Sequence, residues 1–245
     1  MTTNYDPIAD QYKRSKQQPW RTFIESHSFL NLIGDLSGRS VLDLACGEGF
    51  YTRQFKQRGA NLVTGLDLSA GMIELAHQQE EVNRLGIEYV VADARTYRPA
   101  AKFDLVVAAY LLNYATNQAE LQAMCDGIAS CLKPGGRFLT VNSSPLLNFS
   151  AAPSYRKYGF ETSVVGTWQE NAPVTWKFYL SDGCFEIENY YLSAESHEAA
   201  FRHAGFQQIH WHKPQISSAA FESNDQTYWA DFMEQSPITL IECVM

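Results

Sequence analysis

The segment Val41-Leu42-Asp43-Leu44-Ala45-Cys46-Gly47-Glu48-Gly49 constrains the fold of this chain more than any other. A short apolar run carries an acid, passes into a loop of small residues and enters a helical pattern. One line of sequence therefore reads as strand, tight turn and helix start. Small residues let a ligand approach the backbone closely. The free N–H groups at the start of the following helix face whatever binds there. Asp67 ends the next apolar run and Asp93 the one after. Three strands that each deliver a carboxylate to one edge of a parallel sheet describe a nucleoside-binding crevice.

The pattern around this segment predicts an alternating chain. Residues 5–16 and 20–33 read as helices, with Pro7 near the first start, where its missing N–H costs nothing, and Pro19 between them. Strands are predicted at 41–45, 61–67, 87–92, 103–109 and 137–141. Helices are predicted at 50–58, 70–85 and 118–131, the first two closed by Gly59 and Gly86. Lys133-Pro134-Gly135-Gly136 reads as a turn. A helix at 197–204, a strand at 206–212 and a last strand at 237–244 resume the pattern, and 213–236 reads as a loop. The expected fold is α/β, a doubly wound, seven-stranded, mostly parallel sheet. Between these parts, 145–192 changes character. Two aromatic-rich runs, 174–180 and 184–192, flank Ser181-Asp182-Gly183, whose Asp-Gly favours a tight reversal. The expected organisation is a main domain of 1–144 and 193–245 with an antiparallel insertion, 145–192, as a lid over the binding edge.

Composition narrows the partners. A length of 245 residues suits one large domain or a domain with a substantial insertion. The net charge of −8, without a dense Lys/Arg cluster, disfavours nucleic acid. The sequence holds no apolar run long enough to span a membrane. The start lacks a signal-peptide core. Five scattered cysteines form no CxxC pair and fit reduced thiols, so a cytoplasmic location is expected, for a monomer or homodimer. His210 and His212 share one strand face without further ligands at useful spacing, so no metal is expected.

The acids carry the first chemistry. Asp67 is placed to accept two hydrogen bonds from a ribose diol, and charged acceptors strengthen such bonds. Asp93 is placed to accept from an exocyclic adenine amine. Met72 is a candidate for the adenine face or for the core. A dinucleotide site wants G-x-G-x-x-G, whereas Gly47 and Gly49 are followed by Thr52 in the third position. The loop therefore suits a compact ligand end better than a pyrophosphate. Asp43 either braces the loop or meets the ligand. Asp104 reads as a turn-shaping or paired acid, and Cys46 as a small buried hydrophobe.

Taken together, 41–49, Asp67, Asp93-Ala94, Phe103-Asp104 and Leu132-Lys133-Pro134-Gly135-Gly136 resemble the class I S-adenosylmethionine-dependent methyltransferases. The motifs cover 5–141, and the pattern covers 197–244. The resemblance implies S-adenosylmethionine as cofactor, with Asp67 at the ribose hydroxyls, Asp93 at adenine and the Gly47 loop at the methionine portion. It extends the cofactor set to Ala45, Leu68, Met72 and Ala94. It also implies an N-terminal helix that brings Tyr12 to the methionine end and Arg21 to its carboxylate. The family's usual first loop glycine is Ala45 here, which argues against a left-handed backbone while leaving room for close approach. More narrowly, Tyr5-Asp6-Pro7-Ile8-Ala9 with Tyr12, 41–53, 108–114, Tyr158-Gly159-Phe160 and Glu188-Asn189-Tyr190-Tyr191 resemble the toxoflavin-synthase-like group, whose name implies N-methylation of a small azaheterocycle.

The substrate is expected elsewhere. Tyr110, Asn113 and Tyr114 follow the central strand and fall where a nucleophile meets the methyl group. Tyr158, Trp176, Tyr179 and Tyr190 are candidates for an aromatic pocket around a flat or cationic small molecule. No Lys/Asp/His base constellation accompanies them, which favours a nitrogen acceptor over a hydroxyl. An O-methyltransferase and a non-catalytic cofactor-binding module are the competing readings.

Overall fold

The computed structural model describes residues 6–245. Tyr5, with which both the first expected helix and one resembling stretch begin, lies outside them. A short turn, Asp6–Ile8, leads into α1 (Ala9–Ser15). After Pro19, a π-helical segment, Arg21–Ser26, runs directly into α2 (His27–Ile33). Then come β1 (Ser40–Leu44), α3 (Phe50–Gln57), β2 (Leu62–Asp67), α4 (Ala70–Asn83), β3 (Glu88–Val91), β4 (Phe103–Ala109), α5 (Gln118–Ser130) and β5 (Leu132–Ser143). The middle of the chain gives β6 (Phe160–Val164), β7 (Pro173–Leu180) and β8 (Gly183–Tyr190). The last part gives α6 (Ala194–His203), β9 (Gln208–His212), α7 (Gln226–Glu234) and β10 (Ile238–Val244).

Among the described residues, one sheet has seven strands in the order β3-β2-β1-β4-β5-β10-β9, and β6-β7-β8 form a second, antiparallel sheet. The pairs among β1 to β5 are parallel, and β10 runs antiparallel to both its neighbours. This is the α/β sheet with its inserted antiparallel unit that the alternation predicts. Among the described residues, no helix is long and apolar enough to cross a membrane.

Several expected elements need correction. The stretch 213–236 is not a loop throughout. Asp225 caps α7 by accepting from Tyr228 N at 2.9 Å, and Trp229 and Phe232 anchor the helix in the core. Lys133–Gly136 does not separate helix from strand. β5 already begins at Leu132, which pairs with Phe103, and the register then jumps so that Arg137 faces Leu105. The extra residues form an irregular outward bulge in the strand. A third strand, β6, joins the expected hairpin. Helix α6 starts at Ala194 because Ser193 caps it, accepting from Ser196 N at 3.2 Å.

Side-chain parity divides the core. Val41 in β1 and Leu105 and Val107 in β4 join a cluster with Trp20, Ile24, Phe29 and Phe55. Leu42 and Leu44 in β1 and Val106 and Ala108 in β4 face the other way, toward Leu121, Ile128 and Phe201 of α5 and α6. The first cluster continues without a break into the second sheet through Phe160, Val174, Trp176, Phe178, Phe185 and Ile187. The inserted sheet therefore packs on the N-terminal segment and shares its core.

Candidate active site

Leu44 of β1 pairs with Ala108 of β4. From this pair the sheet grows outward through β2 and β3 on one side and β5 on the other. That is the switch point at which open α/β sheets bind ligands beyond their strand ends. The loop after β1 winds tightly there. Gly47 and Gly49 have φ of +58° and +82°, and Ala45 has φ of +54°. The expectation for Ala45 is thus corrected: it takes the left-handed backbone although it carries a Cβ, at a cost of about 1–2 kcal/mol. Tyr110, beyond the end of β4, has φ of +63°. Such a backbone is an outlier for a bulky residue and is held by its surroundings.

The two edge acids are fixed in different ways. Asp67 accepts from Gly47 N at 2.8 Å and from Ser69 N at 2.9 Å, which ties the β1 loop to the start of α4. Leu68 between them is 59% exposed. Asp93 accepts from Arg95 N at 2.9 Å and forms an ion pair with the Arg95 guanidinium at 2.6 Å. Arg95 holds its pKa below the usual carboxylate range. Beneath the loop, buried Asp43 accepts from Thr52 Oγ1 at 2.6 Å. Burial raises its pKa to about 7 against the opposing pull of that hydrogen bond. Asp43 thus braces the start of α3. Asp104 pairs with Lys133 at 2.9 Å and accepts from Ser40 N, also at 2.9 Å.

Beyond the end of β4, at Tyr110 and Tyr114, lies a narrow cleft lined also by Tyr12, Trp20, Arg21, Trp176, Phe178, Ile187 and Asn189. It encloses ≈ 300 Å³ of empty space including its open mouth. Trp176, Phe178, Ile187 and Asn189 reach it because they share the inner face of β7 and β8, where Trp176 pairs with Ile187. Behind the cleft sits a buried ionic network. Glu25 is 0% exposed and pairs with Arg21, 2% exposed, at 2.8 Å. Glu25 also accepts from Tyr51 Oη at 2.7 Å and from Tyr110 Oη at 2.5 Å. Burial pushes the Glu25 pKa up, but Arg21, Lys16 and the two phenols outweigh it and keep the carboxyl below its usual range. The same burial and the Glu25 charge push both tyrosines well above theirs. The Arg21 guanidinium lies 4.7 Å from the Trp20 ring centre, 5.2 Å from Phe178 and 5.5 Å from Tyr110.

The structure thus gathers Ala45, Gly47, Asp67, Leu68 and Asp93 along the sheet edge, and Tyr12, Arg21, Tyr110, Tyr114 and Trp176 around the cleft. Met72 and Ala94 are buried. Ala94 packs so closely on α5 that a Cβ on Gly127 would lie 2.4 Å from its carbonyl oxygen. Asn113 is 3% exposed, and neither atom of its amide has a hydrogen-bond partner. Three expected pocket residues lie elsewhere. Tyr158 is a core side chain stacked on Trp229, its hydroxyl donating to Tyr228 O at 2.6 Å. Tyr179 and Tyr190 point from the outer strand faces, their hydroxyls donating to Glu161 and Glu188, each at 2.5 Å. Glu25, Tyr51 and Asn189 were not expected. For Glu25 the available signal was an acid four residues after Arg21 in an otherwise apolar helical pattern.

The comparisons with known proteins bear on the fold that holds these residues. Residues 41–136 match a methyltransferase domain family. Over 100 residues the chain is 42% identical to a ribosomal protein L11 methyltransferase of Burkholderia multivorans, a match covering 41% of this chain and 30% of that protein. Among solved structures, an S-adenosylmethionine-dependent methyltransferase from Mesorhizobium loti superposes with a TM-score of 0.65 at 19% identity, covering 94% of this chain and all of that one. S-adenosylmethionine-bound CalS10, an amino pentose methyltransferase from Micromonospora echinaspora, gives 0.63 at 18% identity, covering 100% and 99%. CcbJ, a methyltransferase from Streptomyces caelestis, gives 0.67 at 15% identity, covering 98% and 95%. The chain spans under a third of the ribosomal-protein relatives it matches, whereas these folds align along nearly its whole length. Residues 41–136 thus carry the likeness to a methyltransferase domain, and along nearly its whole length the chain has the Rossmann-like fold of S-adenosylmethionine-dependent methyltransferase structures.

Proposed function

We propose that this chain methylates a nitrogen of a small, flat aromatic or heterocyclic molecule. One observation carries the reading: beyond the carboxyl end of β4, aromatic walls from the N-terminal segment, Tyr110 and Tyr114, and the inserted sheet meet in a narrow cleft. Such a cleft suits a planar small molecule better than a protein surface. The resemblance to toxoflavin-synthase-like proteins supports nitrogen as the acceptor atom. The same resemblance supports a role in secondary metabolism, and the five free cysteines support a cytoplasmic protein, acting as a monomer or homodimer.

The edge residues fit the cofactor. A Cβ placed on Gly47 would meet nothing within 4 Å, so the loop borders open space. Asp67 stands at the strand end for the ribose hydroxyls, with exposed Leu68 beside it for the adenine face. Asp93 would take the adenine amine by sharing a carboxylate oxygen with Arg95. Ala45 to Gly49 would hold the methionine portion, with Tyr12 toward its end, while Arg21, tied to Glu25 and lining the cleft, would face the acceptor molecule. When bound, S-adenosylmethionine supplies an electrophilic methyl carbon on a positively charged sulfur. The rings of the cleft then exclude water and align the acceptor, and positioning of this kind contributes several kcal/mol. A neutral nitrogen needs no base for attack.

O-methylation is the second reading, favoured by the short Tyr110–Glu25 hydrogen bond as a route for a hydroxyl proton. Incubation with S-adenosylmethionine and matched panels of N-heterocycles and phenols, read by mass spectrometry, separates the two. N-methylated products are expected; products methylated only on oxygen contradict the leading reading.

A further inference from the structure

We propose that the cleft recognises its substrate by a paired edge, a ring N–H beside a carbonyl or imine acceptor. Tyr110 receives the N–H, and Trp176 and Arg21 donate to the acceptor. The inference rests on the small-molecule reading above and names the substrate's hydrogen-bonding face.

A phenol has one proton to give, and the Tyr110 hydroxyl gives it to Glu25 at 2.5 Å. Glu25 is surrounded by donors, taking Arg21 NH1 and Tyr51 Oη as well. A carboxylate accepts and does not donate. Tyr110 Oη therefore keeps only lone pairs for a ligand, and the group it selects is a donor such as N–H.

Two other residues lining the same cleft have the opposite character. Trp176 and Arg21 line the cleft and are 3% and 2% exposed, yet Trp176 Nε1 and Arg21 Nε have no hydrogen-bond partner. An indole N–H and a guanidinium N–H only donate. Buried donors left unmatched are costly, so an acceptor atom on the ligand recovers what folding leaves unsatisfied. Arg21 also changes the expected charge of the ligand. Its guanidinium already lies against the rings of Trp20, Phe178 and Tyr110, which would otherwise cradle a cation. The cleft thus favours a neutral, flat molecule with adjacent donor and acceptor, as in a lactam or an amino-substituted ring nitrogen.

The test uses the fused-ring lactam carbostyril and its N-methyl derivative, titrated calorimetrically into the full-length protein saturated with S-adenosylhomocysteine. The two probes share a planar bicycle and a carbonyl, and only carbostyril has the N–H. Carbostyril is expected to bind roughly tenfold more tightly, the worth of one good hydrogen bond. Tyr110→Phe is expected to erase that preference. Trp176→Phe, which keeps the aromatic wall and removes the indole N–H, is expected to weaken both probes by a similar factor. Equal affinities in the wild type overturn the inference, as does failure of carbostyril to bind a protein that binds S-adenosylhomocysteine. Failure to bind S-adenosylhomocysteine itself overturns the methyltransferase reading as well. The wild-type comparison decides the point even if a variant does not fold.

Discussion

Glu25 has no exposed surface, yet its charge is met by Arg21, Tyr51 and Tyr110 from three parts of the chain. Removing one member of a buried ion pair leaves the other uncompensated. Glu25→Ala is therefore expected to lower stability by about 3–5 kcal/mol, read as a shifted midpoint in chemical denaturation. Asp43 predicts a pH effect of the opposite origin. Burial raises its pKa from 3.8 to about 7, so the folded chain keeps a proton that the unfolded chain has lost across that interval. Its contribution to stability is fully present below 3.8, declines as pH rises and levels off above about 7. Asp43→Asn should remove this part of the slope, so that the variant gains on the wild type between those limits. Stability curves of the two proteins that run parallel would contradict the assignment. At this scale the sequence pointed to Asp67, Asp93 and Tyr110 because each stands at or just past a predicted strand end. The Glu25 network was hidden because it joins residues up to 85 positions apart.

At the scale of elements, the inserted hairpin shows what alternation reveals when it is followed to the end. In β7, Val174, Trp176 and Phe178 alternate with Thr175, Lys177 and Tyr179, which places Tyr179 with the lysine on the outer face. In β8, Glu186 and Glu188 likewise carry Tyr190 outward with them. The parity was present in the sequence, and counting aromatics alone missed it. Helix α7 shows the reverse case. Its nine residues carry only one strong periodic pair, Trp229 and Phe232, and its stability comes from docking these rings into the core. Asp225→Ala removes the cap and is expected to cost about 1 kcal/mol in thermal or chemical unfolding. The π-helical segment was also illegible as such. It places Arg21 and Glu25 against the cleft, and π turns recur at functional sites.

At the scale of the molecule, the doubly wound sheet was legible because strands buried on both faces are nearly continuous apolar runs separated by helical patterns. How the inserted sheet packs was not, because it depends on rings brought together from 20, 155–160, 176–185 and 229–232. That shared core sets the inserted sheet's inner face against Tyr110 and Tyr114, beyond the end of β4. Cofactor binding at the sheet's carboxyl edge underlies all of this. Calorimetric titration of S-adenosylhomocysteine into the wild type and Asp67→Ala tests it most directly. The account predicts saturable binding to the wild type and a loss of about 1–3 kcal/mol in the folded variant, which lacks both the ribose acceptor and the tether to Gly47 N. A folded wild type that binds nothing, or a variant that binds equally well, would contradict it.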